Sequence, residues 1–193
     1  MRRQHVRQNE SVTTTFPRTG KKTLGYSAAQ VDEFLAVARA AYDGVDDSLV
    51  LTAEDIRHTA FSMHKGGYST AHVDAALERL EDAFATRDRD RAAQTQGSEA
   101  WLAEVHVLAQ VLVNRLSRRD GLRFDRVSVL SVGYNRADVD RFAQRLVRYF
   151  EDGFPMTVDD VRCAVFRPQR GGYREAQVDV VLDGVVDVIL AVR

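Results

Sequence analysis

Apolar residues recur at helical spacing in four long segments of the chain. Val31, Phe34, Leu35, Ala38 and Tyr42 share one face, and so do Val73, Ala76, Leu77, Leu80 and Phe84. Val139, Phe142, Leu146 and Phe150 form a third stripe; Val178, Val181, Leu182, Val185 and Ile189 form a fourth. The fourth is rich in β-branched residues, which lowers helix propensity, but its period is helical. Two shorter patterns begin at Thr52 and Thr157. Each has an aspartate three residues on (Asp55, Asp160) and an apolar pair placed to staple the first turn: Leu51 with Ile56, and Met156 with Val161. They predict short helices near 53–61 and 158–166, each joined by a Gly-Gly turn to a longer one. Between these groups, Arg87 to Arg91 alternates in charge and reads as solvated helix, and Gln94 to Ser98 reads as a break. Trp101, Val105, Leu108, Leu112 and Leu116 then form an apolar seam over 99–118. The seam is short for a coiled coil. Its expected role is docking on the rest of the chain, with a dimerising helix as the alternative. Residues 1–14 are polar and expected to be disordered.

One string stands at the start of every long stripe. Gly25-Tyr26 is followed by Val31-Asp32, Gly67-Tyr68 by Val73-Asp74, Gly133-Tyr134 by Val139-Asp140 and Gly172-Tyr173 by Val178-Asp179. From Thr52 to Thr157 is 105 residues, and so is Tyr68 to Tyr173. Phe16 and Arg18 stand as far before Tyr26 as Phe124 and Arg126 stand before Tyr134. The chain therefore reads as an approximate tandem duplication with two copies of the string in each half. The expected fold is all-α: about seven helices in two duplicated halves, 15–92 and 123–193, related by a pseudo-twofold and joined by a connector helix at 93–122. Each half is small to stand alone, so the two are expected to pair within one chain.

The string has the grammar of a helix start. Ser27 is placed to cap, with Gln30 completing a capping box and Tyr26 stapling onto Val31. Ser69 and Asn135 are the equivalent caps, whereas Arg174 is a poor one. The glycines suit a turn that a side chain would obstruct. The recurring aspartates read as structural, for instance pairing with Arg57 or Arg162, because a catalytic carboxylate pair has no reason to recur in every repeat.

The composition, 45% hydrophobic and 28% charged, is that of a globular protein. The net charge of −1 argues against a dedicated nucleic-acid binder. Apolar runs are only a few residues long, and the basic N-terminus has no apolar stretch behind it, so neither a membrane span nor a secretory signal is expected. The one cysteine, Cys163, excludes an intrachain disulfide, fits a reducing cytoplasm, and reads as a small buried apolar residue. His5, His58, His64, His72 and His106 lack ligand spacing. No phosphate loop, His-Glu-x-x-His or Cys-x-x-Cys occurs. Neither catalysis, a metal nor a cofactor is expected.

The run from Leu51 through Asp55, Ile56, Arg57 and Phe61 to Gly67-Tyr68 and Val73-Asp74 resembles the N-terminal domain of the DivIVA family, bacterial scaffolds of cell division and polar growth. The resemblance covers both halves and implies an α-helical domain, self-association into a homo-oligomer, a place at the inner face of the membrane at septum or pole, and unidentified protein partners. Members of that family have an Arg before the Gly-Tyr and an exposed Phe before that, in a turn that inserts into lipid. Here those pairs are Thr23-Leu24, Lys65-Gly66, Ser131-Val132 and Arg170-Gly171, and the family's long C-terminal coiled coil is not seen. Membrane contact is therefore expected to be weak or absent. Arg18, Lys21, Lys22, Leu24, Lys65, Arg167 and Arg170 are the candidates for touching a partner or anionic lipid. A soluble helical adaptor unrelated to division is the alternative.

Overall fold

A computed structural model describes residues 16–45 and 49–193; the expectation of disorder at 1–14 lies outside them. The described residues are mostly helical. The order is β1 (Leu24–Tyr26), α1 (Ala28–Asp43), α2 (Ala53–Arg57), β2 (Met63–Lys65), α3 (Thr70–Gln96), α4 (Ser98–Leu116), β3 (Val132–Tyr134), α5 (Arg136–Asp152), α6 (Val158–Arg162), β4 (Pro168–Arg170) and α7 (Glu175–Val192). The chain divides into two compact units, one up to Glu81 and one from Asp82, so the division falls inside α3.

The short helices begin as the pattern predicts. The Thr52 hydroxyl accepts from the Asp55 N–H while the Asp55 carboxylate accepts from the Thr52 N–H, and Thr157 with Asp160 repeats this. Both helices stop after five residues, well short of the expected 61 and 166. The chain leaves them extended and enters a strand, which the helical period did not foresee. β1 pairs with β2 and β3 with β4, both antiparallel. The early exit delivers Phe61 to within 5.5 Å of the Tyr26 ring and Phe166 to within 5.2 Å of the Tyr134 ring. In the second case Pro168 also turns Arg167 away from helical angles.

In the first unit the core is small. Val31, Tyr68 and Val73 are buried, with Phe16, Tyr26, Phe61 and Leu77 packed around them. The second unit has an equivalent cluster of Phe124, Val139, Tyr173 and Val178. It has a larger core besides, in which Leu112 and Leu116 of α4 meet Phe142 and Leu146 of α5 and Val185 and Ile189 of α7. The helix expected as a connector thus packs within the second unit. Its seam is corrected at one place: Leu108 is exposed, and Val113 is buried instead.

Candidate functional site

In each unit the two Gly-Tyr strings cross. Tyr26 N–H donates to Tyr68 O at 2.9 Å, and Tyr68 N–H returns the bond to Tyr26 O at 2.8 Å. Tyr134 and Tyr173 do the same at 3.0 and 2.9 Å. All four glycines are buried at these crossings. A Cβ on Gly25 or Gly67 would overlap the carbonyl oxygen of Tyr68 or Tyr26; on Gly133 or Gly172 it would overlap that of Tyr173 or Tyr134. The motif glycine is therefore a close-approach residue.

The tyrosines and aspartates are exchanged between the crossing strings. The Tyr68 hydroxyl donates to Asp32 at 3.2 Å, and the Tyr26 hydroxyl bonds Asp74. Tyr173 donates to Asp140 at 2.9 Å, and Tyr134 bonds Asp179. Burial, and then the facing carboxylate, raise all four phenols above their ordinary value, Tyr173 to about 12. This corrects the expected pairing of the aspartates with Arg57 and Arg162. Those arginines reach Glu81 at 2.8 Å and Asp82 at 3.1 Å. Sequence reading also missed Arg123, which is buried and holds Asp140 at 2.7 Å and the Leu116 carbonyl at 2.6 Å. Repetition marked the tyrosines and aspartates, which keep one spacing in all four copies, but not which pairs with which, and no spacing rule announces Arg123.

Capping follows the pattern only in part. Asn135 accepts from the Asp138 N–H at 3.1 Å, and Arg174 makes no side-chain cap. Ser27 makes none either; Gln30, expected to complete its box, accepts instead from the Ser62 N–H at 2.8 Å. The N-terminus of α1 is held by backbone pairing to the segment before β2, which leaves the box without a task.

The candidate contact residues separate into three groups. Arg18 lies 5.1 Å over the Tyr68 ring and reaches Gly66 O at 3.3 Å, so it braces the crossing. Arg167 chelates Asp138 through Nε and Nη2, both at 2.7 Å. The Asp138 carboxyl, bonded by Arg167, is held down at about 2. The others stand at the free ends of the two sheets. Leu24 pairs with Lys65, and the turn closed by Thr23 N–H to Gly20 O carries Lys21 and Lys22. Val132 pairs with Arg170, and there the turn positions matching the lysines are Val129 and Leu130. Val129 and Leu130 are 78% and 83% exposed, and the sequence reading did not single them out.

Cys163 is exposed at the end of α6, against the expectation of burial, because at helical spacing it falls opposite the buried Val161. Among the described residues no group of three His, Cys, Asp or Glu could hold a metal ion, and no helix is long and apolar enough to cross a membrane. Compared with known protein families, curated proteins and solved structures, the chain matches none.

Proposed function

We propose that this chain is a non-enzymatic adaptor of the DivIVA type, acting in bacterial cell division or polar growth through protein contacts and a weak hold on the inner membrane surface. The observation that carries the reading is how the repeated string is used. Its glycine, tyrosine and aspartate are spent on one another at both crossings, while the turns they support present side chains to solvent. Phenols donating to carboxylates in a closed exchange offer neither a free base nor a free nucleophile, so they support a scaffold rather than a reaction centre.

The two tips differ in chemistry. Lys21, Lys22 and Lys65 surround Leu24 at the first; Val129, Leu130 and Val132 stand beside Arg170 at the second. A cation near an anionic bilayer contributes about 1 kcal/mol, and a buried Leu or Val side chain about 1.5–3 kcal/mol. Either tip alone makes a weak contact, which suits a peripheral adaptor. A fluorescent fusion of the full chain forms septal or polar foci on this reading; a diffuse signal favours the soluble adaptor unrelated to division. For the membrane part, the chain co-sediments with phosphatidylglycerol vesicles at low salt, and Leu130→Ser reduces the bound fraction several-fold. Equal binding by Leu130→Ser would remove the second tip from the contact.

A further inference from the structure

The second unit carries an open groove of about 1360 Å³ beside its crossing, with Arg123 and Phe166 lining both. One wall is α5, which lines it with Arg141, Arg145 and Arg148, at spacings that place them on a single helix face. The other wall is the segment leaving α6, where Val165 is 90% exposed. Half-buried Phe166 supplies apolar surface between the walls, with the buried Phe142 behind it.

The arginines of this groove are not equally employed. Arg141 binds Asp138 at 2.9 Å, a carboxylate that Arg167 also holds. Arg145 and Arg148 instead lie over aromatic rings, at 5.4 Å from Phe142 and 4.8 Å from Phe154. Among the described residues neither forms an ion pair. Asp160 feels the charge of Arg145 but spends its carboxylate on the Thr157 cap. Both arginines are exposed on the groove side of α5 and keep guanidinium donors available there.

The repeat supplies an internal control. In the register of the string, Arg141, Arg145 and Arg148 correspond to Glu33, Val37 and Ala40 of α1. The helix following a Gly-Tyr string therefore forms without an arginine row. The row is a property of this groove, in a chain whose net charge as a whole is −1.

Resting on the adaptor reading and naming its partner's chemistry, we propose that this groove docks an acidic peptide segment of a partner protein, one whose carboxylates alternate with apolar side chains. Carboxylates would meet Arg145 and Arg148, and the apolar side chains would lie on Phe166 and Val165. Charge complementarity fixes the sign of the ligand. Asp138, Glu151 and Asp160 also line the groove, so a uniformly charged polyphosphate or nucleic acid meets repulsion that spaced carboxylates avoid. A concave site also fits a chain segment better than a flat bilayer.

The test uses the full chain and a fluorescein-labelled dodecapeptide alternating Glu with Leu and Phe, read by anisotropy at low salt. Controls are the same peptide with Gln for Glu, an oligo-Glu peptide and tripolyphosphate. The expected result is saturable binding that the Gln peptide and oligo-Glu lack. Arg145→Glu with Arg148→Glu weakens it about tenfold or more. Val165→Asp, which alters an exposed side chain, weakens it without changing the circular dichroism spectrum. Binding that is absent, that ignores both variants, or that tripolyphosphate or oligo-Glu matches would overturn the proposal. Foci in cells without peptide binding would sink the groove alone; peptide binding with a diffuse fusion would sink the division role alone.

Discussion

Each of the four motif aspartates takes the hydroxyl of the tyrosine in the opposing string, and at Asp140 the exchange is deepest. Tyr173 is fully buried, its hydroxyl donates to Asp140, and Arg123 and the Gly121 N–H hold the same carboxylate. Tyr173→Phe removes one bond from a buried charged group and is expected to cost about 1–2 kcal/mol, measured as a lower urea midpoint. A folded pKa of about 12 lies above the ordinary value of about 10. The neutral phenol therefore stabilises the fold fully below about pH 10, and that contribution is lost as pH rises through about 12. Absorbance titration near 295 nm should show a late tyrosine step that Tyr173→Phe abolishes. Gly133→Ala places a methyl on the Tyr173 carbonyl and should cost at least about 2 kcal/mol; a neutral result would refute the close-approach role. The string itself was legible because repetition marked it. Its partners were not, since Asp32 and Tyr68 are 36 residues apart and no local pattern joins them.

At the scale of elements, the helices were readable from their apolar period and the strands were not. A three-residue strand such as β3 (Val132–Tyr134) is too short to show alternation, and its pairing partner lies beyond two helices, α5 and α6. The helix starts at Thr52 and Thr157 form where the pattern placed them, with complete boxes, whereas the box expected at Ser27 does not form. Thr157→Ala should destabilise the second unit by about 1 kcal/mol, seen as faster amide exchange through α6. The start of α5 carries a pH-dependent clasp. Asp138, bonded by Arg167, has its folded pKa lowered to about 2, against about 3.9 when unperturbed. Its contribution is present above about pH 4 and lost as pH falls through about 2. Arg167→Gln should return Asp138 toward the ordinary range, as followed by carboxyl NMR titration.

For the molecule as a whole, the two units are unequal despite their shared string. The second adds α4, and with it a core that joins α4, α5 and α7; the first rests on Val31, Tyr68 and Val73 with their partly buried neighbours. A fragment of residues 82–193 should give a dispersed NMR spectrum and one cooperative unfolding transition. A fragment of residues 1–96, with far less apolar surface to bury, should be marginal alone. Equal stability of the two fragments would contradict this ranking of the cores. The arginine row is likewise carried by α5 and not by α1.

The amino-acid sequence by itself determined the helical fold class, the fourfold string and the helix starts at Thr52 and Thr157, because each rests on neighbours within one or two turns. Only the tertiary structure decided which string crosses which, that the aspartates answer tyrosines rather than arginines, and that α4 belongs to the second unit's core. Those outcomes depend on contacts between residues far apart in the chain, and there burial and close backbone approach outweigh local preference.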